Sequence, residues 1–536
     1  VVGKHQAELY ADCLECKYDV RPVIYYTNGF EIHVIDGLGY PPRQLYAFHT
    51  QKDLEIMMQR RAHSGEIADM AVKDEIAGRY YQKRAVKELC EWLNKKHRRG
   101  LLVMATGTGK TRTAIALVDV LQRNGRVENT LFLADRTSLV NQAAKNFSKL
   151  LPNTPITVLS DKTNQPDPNA RIMFSTYQTM INYVNTDDKP YSVGRFDLII
   201  IDEAHRSVFG KYGDIFRDFD SMLIGLTATP RDQVEKSTYD LLELEGGEPN
   251  YDYDYDTAVA DGYLVDHQDF LRGSKVVNEG IKYDDLSEEE KKQLEAVWEY
   301  EQVNRDPDEE LEPRDIKERE IYRYIYNTDT IDQMLQDLMA NGLKVESGEK
   351  IGKTIIFAMN SKTAKLIVER FHMLYPEYGS NFCEQIDYSI NYSLNLIDNF
   401  TLRDKMPQIA VSVDMLDTGI DVIDILNLVF FKRVRSRIKF LQMIGRGTRK
   451  SEDIFGAGQD KELFYIFDWG GNFKYFSTKP KEGKQIKSLS LTERLFNVRL
   501  DISNALQAQT YQEDKFAKRL HDELKSLLHK EVEKLS

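Results

Sequence analysis

Apolar residues fall into two kinds of pattern along the chain. From Leu101 onward there are short, continuous apolar runs: LLVM, TLFLAD, DLIIID and MLIGLTATP. Between them lie longer stretches with helical spacing, such as TAIALVDVL and SLVNQAAKNF. A short run that is apolar throughout suits a strand covered on both faces. Strands alternating with helices predict a parallel sheet flanked by helices. The same alternation resumes in KTIIFAMN, IAVSVDML, ILNLVFFKR and ELFYIFDW. Between the two blocks, residues 279–320 are acidic and carry no strand signal, so they read as a helical connector or solvated insertion. Ahead of the first block come a helical stretch, QAELYADCLE, and strand-like runs at Val23–Thr27 and Phe30–Ile35, and residues 51–100 look largely helical. The chain closes on an amphipathic helical segment, KFAKRLHDELKSLLHKEVEKL. The predicted fold is α/β, with two tandem lobes, each a parallel sheet flanked by helices. The start of the C-terminal helical segment is read as packing on the second lobe, and its last 25 residues are left open between packing and partner docking.

Bulk properties change this picture little. A chain of 536 residues is too long for one core. No apolar run approaches the ~20 residues of a membrane span, so no membrane is expected as a partner. Four cysteines in so long a chain point to a reducing cytoplasm. Cys13 and Cys16 form a C-x-x-C, but no second pair completes a tetrahedral zinc site, and two thiols on one helix face is the favoured reading. A net charge of -13 argues against a generally basic, phosphate-coating protein while leaving room for a local basic track. The most basic short run, Lys432 to Lys439, is read equally as a solvated face and as such a track.

Chemistry enters with Met104-Ala-Thr-Gly-Thr-Gly-Lys-Thr111, which follows a predicted strand and opens a predicted helix. Gly107 and Gly109 let the backbone of Thr106 and Thr108 wrap around phosphate with N–H groups pointing inward. The helix starting near Lys110 offers its positive end to an anion. Lys110 is expected to reach the β- and γ-phosphates of ATP, and the Thr111 hydroxyl to complete a Mg²⁺ shell. Met104 departs from the strict pattern, which has Gly or Ala there. The second element is Asp202-Glu203-Ala204-His205 after the strand Leu198–Ile201. A strand ending in two carboxylates delivers them to the sheet edge where α/β proteins bind ligands. Asp202 is expected to hold Mg²⁺ and Glu203 to activate the attacking water.

These motifs, in this order, resemble superfamily 2 helicases over most of the chain, which implies two RecA-like lobes with ATP between them. The resemblance extends to Gln82 in GRYYQKRAV, with Arg79 beside it, as the adenine-reading position. LFLADRTSLVNQ and FSTYQTM look like backbone-contacting segments, implying DNA contacts from Arg136, Thr176 and Gln178. Leu226-Thr-Ala-Thr-Pro230 resembles the segment that links ATP state to lobe movement, which assigns coupling roles to Thr227 and Thr229, with His205 and Gln442. In the second block, VDMLDTGIDV places Gly419 and Asp421 near the ribose and Thr418 nearer nucleic acid. QMIGRGTR supplies Arg446 and Arg449, permanently charged and suited to the charge on a transferring phosphoryl group.

The flanking text narrows the resemblance. GKHQAELYADCLE, RPVIYYTNGFEIHVID, DTIDQMLQDLMANGLKV and the stretch through FKRVRSRIKFLQMIGRGTRK look like the restriction (motor) subunit of type I restriction-modification enzymes. That family implies residues 1–60 as the end of a PD-(D/E)xK-type nuclease domain, 61–270 as lobe one, 271–330 as the acidic connector, 331–480 as lobe two and 481–536 as a helical C-terminal segment. Gln6 and Tyr10 match its Q-x-x-x-Y helix, and the catalytic Asp and Glu-x-Lys of such a nuclease are expected ahead of Val1. The implied function is ATP-dependent translocation of double-stranded DNA, in complex with modification (methyltransferase) and specificity subunits. A strand-separating helicase and an ATP-gated DNA-binding switch share the same motifs and remain open at this point.

Overall fold

The computed structural model describes residues 2–63, 67, 71–159, 167, 169–186, 189–204, 206–228, 238–239, 242–244, 247–272, 328–387, 393–417, 422–477, 491–507 and 514–533. The expected acidic connector lies almost wholly outside the described residues. The chain divides into two compact units, one of residues 1–105, 109–254 and 485–536, the other of 106–108 and 255–484.

The first unit begins with a helix, Val2–Tyr18, and a small antiparallel sheet of β1 (Ile24–Thr27), β2 (Ile32–Ile35) and β3 (Arg43–Leu45). Helices Gln51–His63 and Tyr80–Asn94 lead into the main sheet. Its strands are β4 (Arg99–Met104), β5 (Thr130–Ala134), β6 (Ile156–Val158), β7 (Ile172–Thr176), β8 (Leu198–Asp202), β9 (Met222–Thr227) and β10 (Tyr251–Tyr253). They pair in the order β10-β4-β9-β8-β5-β7-β6, all parallel. The apolar runs of the sequence are these strands. Leu101, Leu131, Ile199 and Leu223 are buried together in one core with Tyr177 and Phe216. Burying each such side chain stabilises by roughly 1.5–3 kcal/mol.

The second unit has the strands β11 (Asp266–Leu271), β12 (Lys344–Val345), β13 (Lys350–Ile351), β14 (Lys353–Ala358), β15 (Cys383–Gln385), β16 (Ile409–Ser412), β17 (Ile425–Phe431) and β18 (Leu463–Asp468). Six of them form a second parallel sheet in the order β11-β18-β17-β14-β16-β15, while β12 and β13 form an antiparallel pair. Both sheets are covered by helices, so the expected α/β fold of two parallel-sheet lobes is the observed one.

Two expected boundaries shift. Residues 266–270 fall in the expected first lobe and Leu271 in the expected connector, but β11 pairs with β18 along its whole length and belongs to the second sheet. The start of the C-terminal helical segment, read as packing on the second lobe, groups with the first unit, as does the rest of that segment, which the sequence left open. Their helices Leu491–Ala505 and Lys515–Glu533 pack on one another.

The N-terminal sheet is bound to the amino ends of the main sheet by buried charge. Asp220 lies just ahead of β9. Both its oxygens accept from Arg43 of β3, at 2.6 and 2.7 Å. Arg98, just ahead of β4, donates to it at 2.8 Å, and His49 Nε2 stands 3.2 Å away. Asp197, just ahead of β8, is paired with Arg60 at 2.6 Å and accepts the backbone N–H groups of Glu128 and Asn129. Burial alone would push the Asp220 carboxyl up, but Arg98 and Arg43, with their hydrogen bonds and that of His49, outweigh it and hold it well below the usual carboxylate range.

Removing one partner of a buried ion cluster leaves the others uncompensated. Asp220→Ala is expected to lower the unfolding free energy at pH 7 by about 3–5 kcal/mol, measured by urea denaturation. Because the folded pKa is depressed, the Asp220 contribution is fully present above the unfolded carboxylate value near ~4 and is lost as pH falls through the lower folded value. An Asp220→Ala chain should therefore lose less stability than the parent on acidification.

Candidate active site

Parallel strands place every strand-to-helix turn of the first unit on one edge of the sheet. The loop after β4 starts with Ala105, whose N–H donates to the Tyr253 carbonyl at 2.9 Å. Gly107 and Gly109 both take a φ of +92°, which side chains rarely adopt. Gly109 then caps the helix Lys110–Arg123. Lys110 Nζ reaches the Met104 carbonyl at 3.4 Å, so the ammonium is held over the loop's own concavity. Thr108 is fully buried, while Thr106, Gly107, Lys110 and Thr111 are partly exposed. The loop thus carries partly exposed N–H groups, a lysine and a hydroxyl at the start of a helix, the groups that bind a phosphate.

Gln82 sits against this loop. It is buried on the helix Tyr80–Asn94, and a Cβ added at Gly109 would come within 2.5 Å of its Nε2. Arg79 precedes that helix and donates to the Tyr81 hydroxyl at 2.8 Å. Tyr81 in turn stacks on Tyr253, ring centroids 4.0 Å apart, which fixes the helix start beside β10.

β8 ends at Asp202 and delivers Glu203 next, at a φ of +54°. A left-handed conformation in a non-glycine residue costs of order 1 kcal/mol or more and turns the chain sharply. Ala204 N–H closes that turn on the Leu226 carbonyl at 2.9 Å. Tyr177, buried after β7, donates its hydroxyl to the Asp202 carbonyl at 2.8 Å. Burial, then the Glu203 charge, pushes the Asp202 carboxyl up to about 7, against the pull of the Lys110 ammonium. Glu203 Oε2 is buried without a hydrogen-bond partner among the described residues. Two partly buried carboxylates, one with a buried, unsatisfied oxygen, form a donor set that fits a divalent cation with oxygen ligands. Thr227, fully buried at the end of β9, lies on the strand between β4 and β8.

The structure therefore brings together Gln82, Lys110, Asp202, Glu203 and Thr227 from four separate segments. His205, Thr229, Thr418, Gly419 and Asp421 lie outside the described residues. Gln6 Nε2 donates to the Tyr10 hydroxyl at 3.0 Å on the exposed N-terminal helix, as their spacing implied. Tyr177 and Asp135, whose charge also raises Asp202, were not singled out from the sequence. Tyr177 stood inside FSTYQTM, a segment read for nucleic-acid contact, and its inward direction is set only by the strand end.

The expected nucleic-acid contacts sit on the same edge with local partners. The Thr176 hydroxyl caps its own helix by accepting from Thr179 N–H at 3.1 Å. Gln178 Oε1 accepts from Lys211 at 3.4 Å and from the Tyr212 hydroxyl at 3.3 Å. Arg136 Nε lies 3.6 Å from Asp135. In the basic run, Lys432 is turned inward, donating to the Val413 carbonyl and lying 3.7 Å from Asp417. Arg433 covers the Tyr475 ring, while Arg435, Arg437 and Lys439 are exposed. The run is thus divided between packing and a solvated basic face.

In the second unit, the helix Arg437–Ile444 carries buried Gln442, and Arg446 Nε donates to the Gln442 carbonyl at 3.3 Å. The turn between Arg446 and Arg449 is held from two sides. A Cβ on Gly447 would run within 2.2 Å of the Phe464 ring, and buried Lys461 donates to the Gly447 carbonyl at 2.6 Å. Burial pushes the Lys461 ammonium down to about 7.

Known proteins resemble this chain at the level of family and fold. A family model described as "Type III restriction enzyme, res subunit" matches residues 75–232. The chain is 30% identical over 498 residues to the EcoKI endonuclease subunit of Escherichia coli K12, a type I restriction enzyme, covering 83% of this chain and 40% of that relative. It is 24% identical to the DNA 3'-5' translocase XPB2 of Sulfurisphaera tokodaii, covering 79% of this chain and 89% of that protein. Among solved structures, a fragment described as an HsdR subunit of a type I restriction enzyme from Vibrio vulnificus YJ016 superposes with a TM-score of 0.54 at 22% identity, covering 89% of this chain and 80% of the other.

Gly109→Ala should add strain at a positive φ and a clash with Gln82. Its expected effect is a loss of about 1–3 kcal/mol in stability, read by urea denaturation. Gln82→Ala in the same chain should recover part of the loss by removing the clash and leave the backbone strain.

Proposed function

With the chain a homologue of the endonuclease subunits of type I restriction enzymes, carrying their superfamily 2 helicase-like motor, we propose that it is the ATP-driven translocase of double-stranded DNA in such an enzyme. The observation that carries the reading is the half-buried pair Asp202–Glu203 under the charge of Lys110, at the carboxyl edge of a parallel sheet. That is a phosphate-binding loop joined to a cation-seeking acidic pair.

In this reading the β4 loop and the amino end of the helix Lys110–Arg123 bind the ATP phosphates, and Lys110 neutralises their outer oxygens. Gln82, with Arg79 beside it, reads the base. Thr111 and Asp202 would hold Mg²⁺, which supplies charge neutralisation on the phosphate oxygens. Glu203 takes the proton from the attacking water, and its unsatisfied oxygen is free to accept it. Arg446 and Arg449 are assigned, from their motif, to the charge that spreads over the phosphoryl group as it leaves. Thr227 and Gln442 are assigned to coupling.

Double-stranded DNA is the proposed track, with modification and specificity subunits as partners. The likeness to a protein named as a DNA translocase supports movement over static clamping. The chain spans less than half the length of its type I relative, and residues 1–60 are assigned, from the Q-x-x-x-Y match of Gln6 and Tyr10, to the end of a nuclease domain whose activity is proposed for the larger assembly.

Lys110→Ala is expected to lower ATP affinity by about 10–100-fold, the value of lost hydrogen bonds to charged groups. Glu203→Gln should bind ATP normally and lower kcat by roughly 10²–10⁴. Near-normal turnover of Glu203→Gln, measured by phosphate release, would remove the base assignment. Translocation is read by ATP-dependent displacement of a triplex strand from blunt duplex DNA. DNA-stimulated hydrolysis without displacement would favour a switch, and unwinding of a forked substrate would favour a strand-separating helicase.

A further inference from the structure

A cavity of about 70 Å³ lies at the amino-terminal edge of the first sheet, away from the carboxyl edge just described. Its walls come from the N-terminal segment and from the residues that lead into the strands, including Tyr40, Lys96, Arg98 and Arg126. The volume exceeds the roughly 10–15 Å³ that a single water requires.

The charges around it do not balance locally. Asp220 is taken by Arg43, Arg98 and His49. Asp197 is taken by Arg60. One oxygen of Asp36 accepts from Arg43 and the other from the Leu38 N–H. The Asp53 carboxylate is used by Thr50 N–H and the Ser192 hydroxyl. Lys96 and Arg126 are the lining cations left without a carboxylate among the described residues. Both converge on Tyr40: Lys96 Nζ lies 5.5 Å from its ring centre, and Arg126 is 3.5 Å from its hydroxyl. Among the described residues, Arg126 otherwise makes only long bonds to neutral acceptors, the Leu93 carbonyl at 3.3 Å and Asn94 at 3.4 Å.

Lys96 closes the carboxyl end of the helix Tyr80–Asn94, its N–H returning to the Leu93 carbonyl at 3.1 Å. Lys96 has a φ of +68°, a strained conformation for lysine, and Gly39 at +85° approaches its side chain. Burial, then the neighbouring Arg126 charge, pushes the Lys96 ammonium down, against the weaker pull of Asp36.

We propose that this cavity is an oxyanion site of the phosphate class, with Lys96 and Arg126 as its ligands beside Tyr40. An anion there neutralises both cations at once and ties residues 36–40 of the N-terminal segment to the approach to β4. The bonds are charge-assisted and suit a tetrahedral oxyanion. Its source is either free phosphate or a phosphate group carried by a nucleotide or DNA.

The test is equilibrium dialysis with radiolabelled inorganic phosphate, in a Lys110→Ala background that weakens the β4 loop as a competing phosphate site. The expected result is a saturable site that loses about tenfold or more in affinity on Lys96→Met or Arg126→Met, and keeps it on Lys96→Arg. Displacement by ADP or by a short duplex identifies a carried phosphate as the source, and resistance to both identifies the free ion. A second reading uses the chain without substitutions. Phosphate should raise its urea midpoint more than chloride does at equal ionic strength, and Lys96→Met should shrink that difference to the part contributed by the β4 loop. Absence of phosphate binding in the Lys110→Ala chain, or binding and midpoints unchanged by both methionine variants, overturns the proposal.

Discussion

The common direction of seven strands is the constraint on which the first unit depends. Parallel strands must be joined by crossovers, so every turn that leaves a strand carboxyl end falls on the same edge. The phosphate-type loop and the acidic pair are far apart in the chain. They become neighbours because β4 and β8 flank a single strand, β9. The other edge collects the residues that lead into those same strands, and there the N-terminal sheet is fastened by Arg43, Arg98 and Asp220. One sheet therefore has a reactive edge and an anchored edge.

Burial sets the character of the reactive edge. Asp202 is drawn partly out of water beside Glu203, whose charge adds to the cost of its own. Lys110 offsets part of that cost but is held toward the backbone of its own loop. Glu203 is also kept in a left-handed conformation by the turn that Ala204 closes on β9. Such a site gains when positive charge arrives, and its geometry is imposed by the strand ends around it rather than by the acidic residues themselves.

Much of this was legible in the sequence because it is local. The apolar runs became the buried strands, and the glycines of the β4 loop took the positive φ that their spacing implied. What escaped was non-local or carried by the backbone. β11 reads DHQDFL, with polar residues facing solvent along an edge strand, so no apolar run announced its sheet. Its place is fixed by main-chain pairing with β18, nearly 200 residues later. The partners of Asp220 come from positions scattered across the first half of the chain, which no periodicity reveals. The basic run looked uniform, yet Lys432 ends a buried strand and turns inward to Asp417. Lys461, a lone lysine in a polar loop, gave no signal of its bond to Gly447.

The four cysteines divide in a way that matters at the bench. Cys90 and Cys383 are buried, and burial raises both thiols far from their reactive thiolate form. Cys13 and Cys16 are exposed on the helix Val2–Tyr18. A thiol-directed dye added to the folded protein would therefore mark the N-terminal helix and spare the interior of both units. Without any substitution, the molecule comes with its own attachment point for watching that end of the chain.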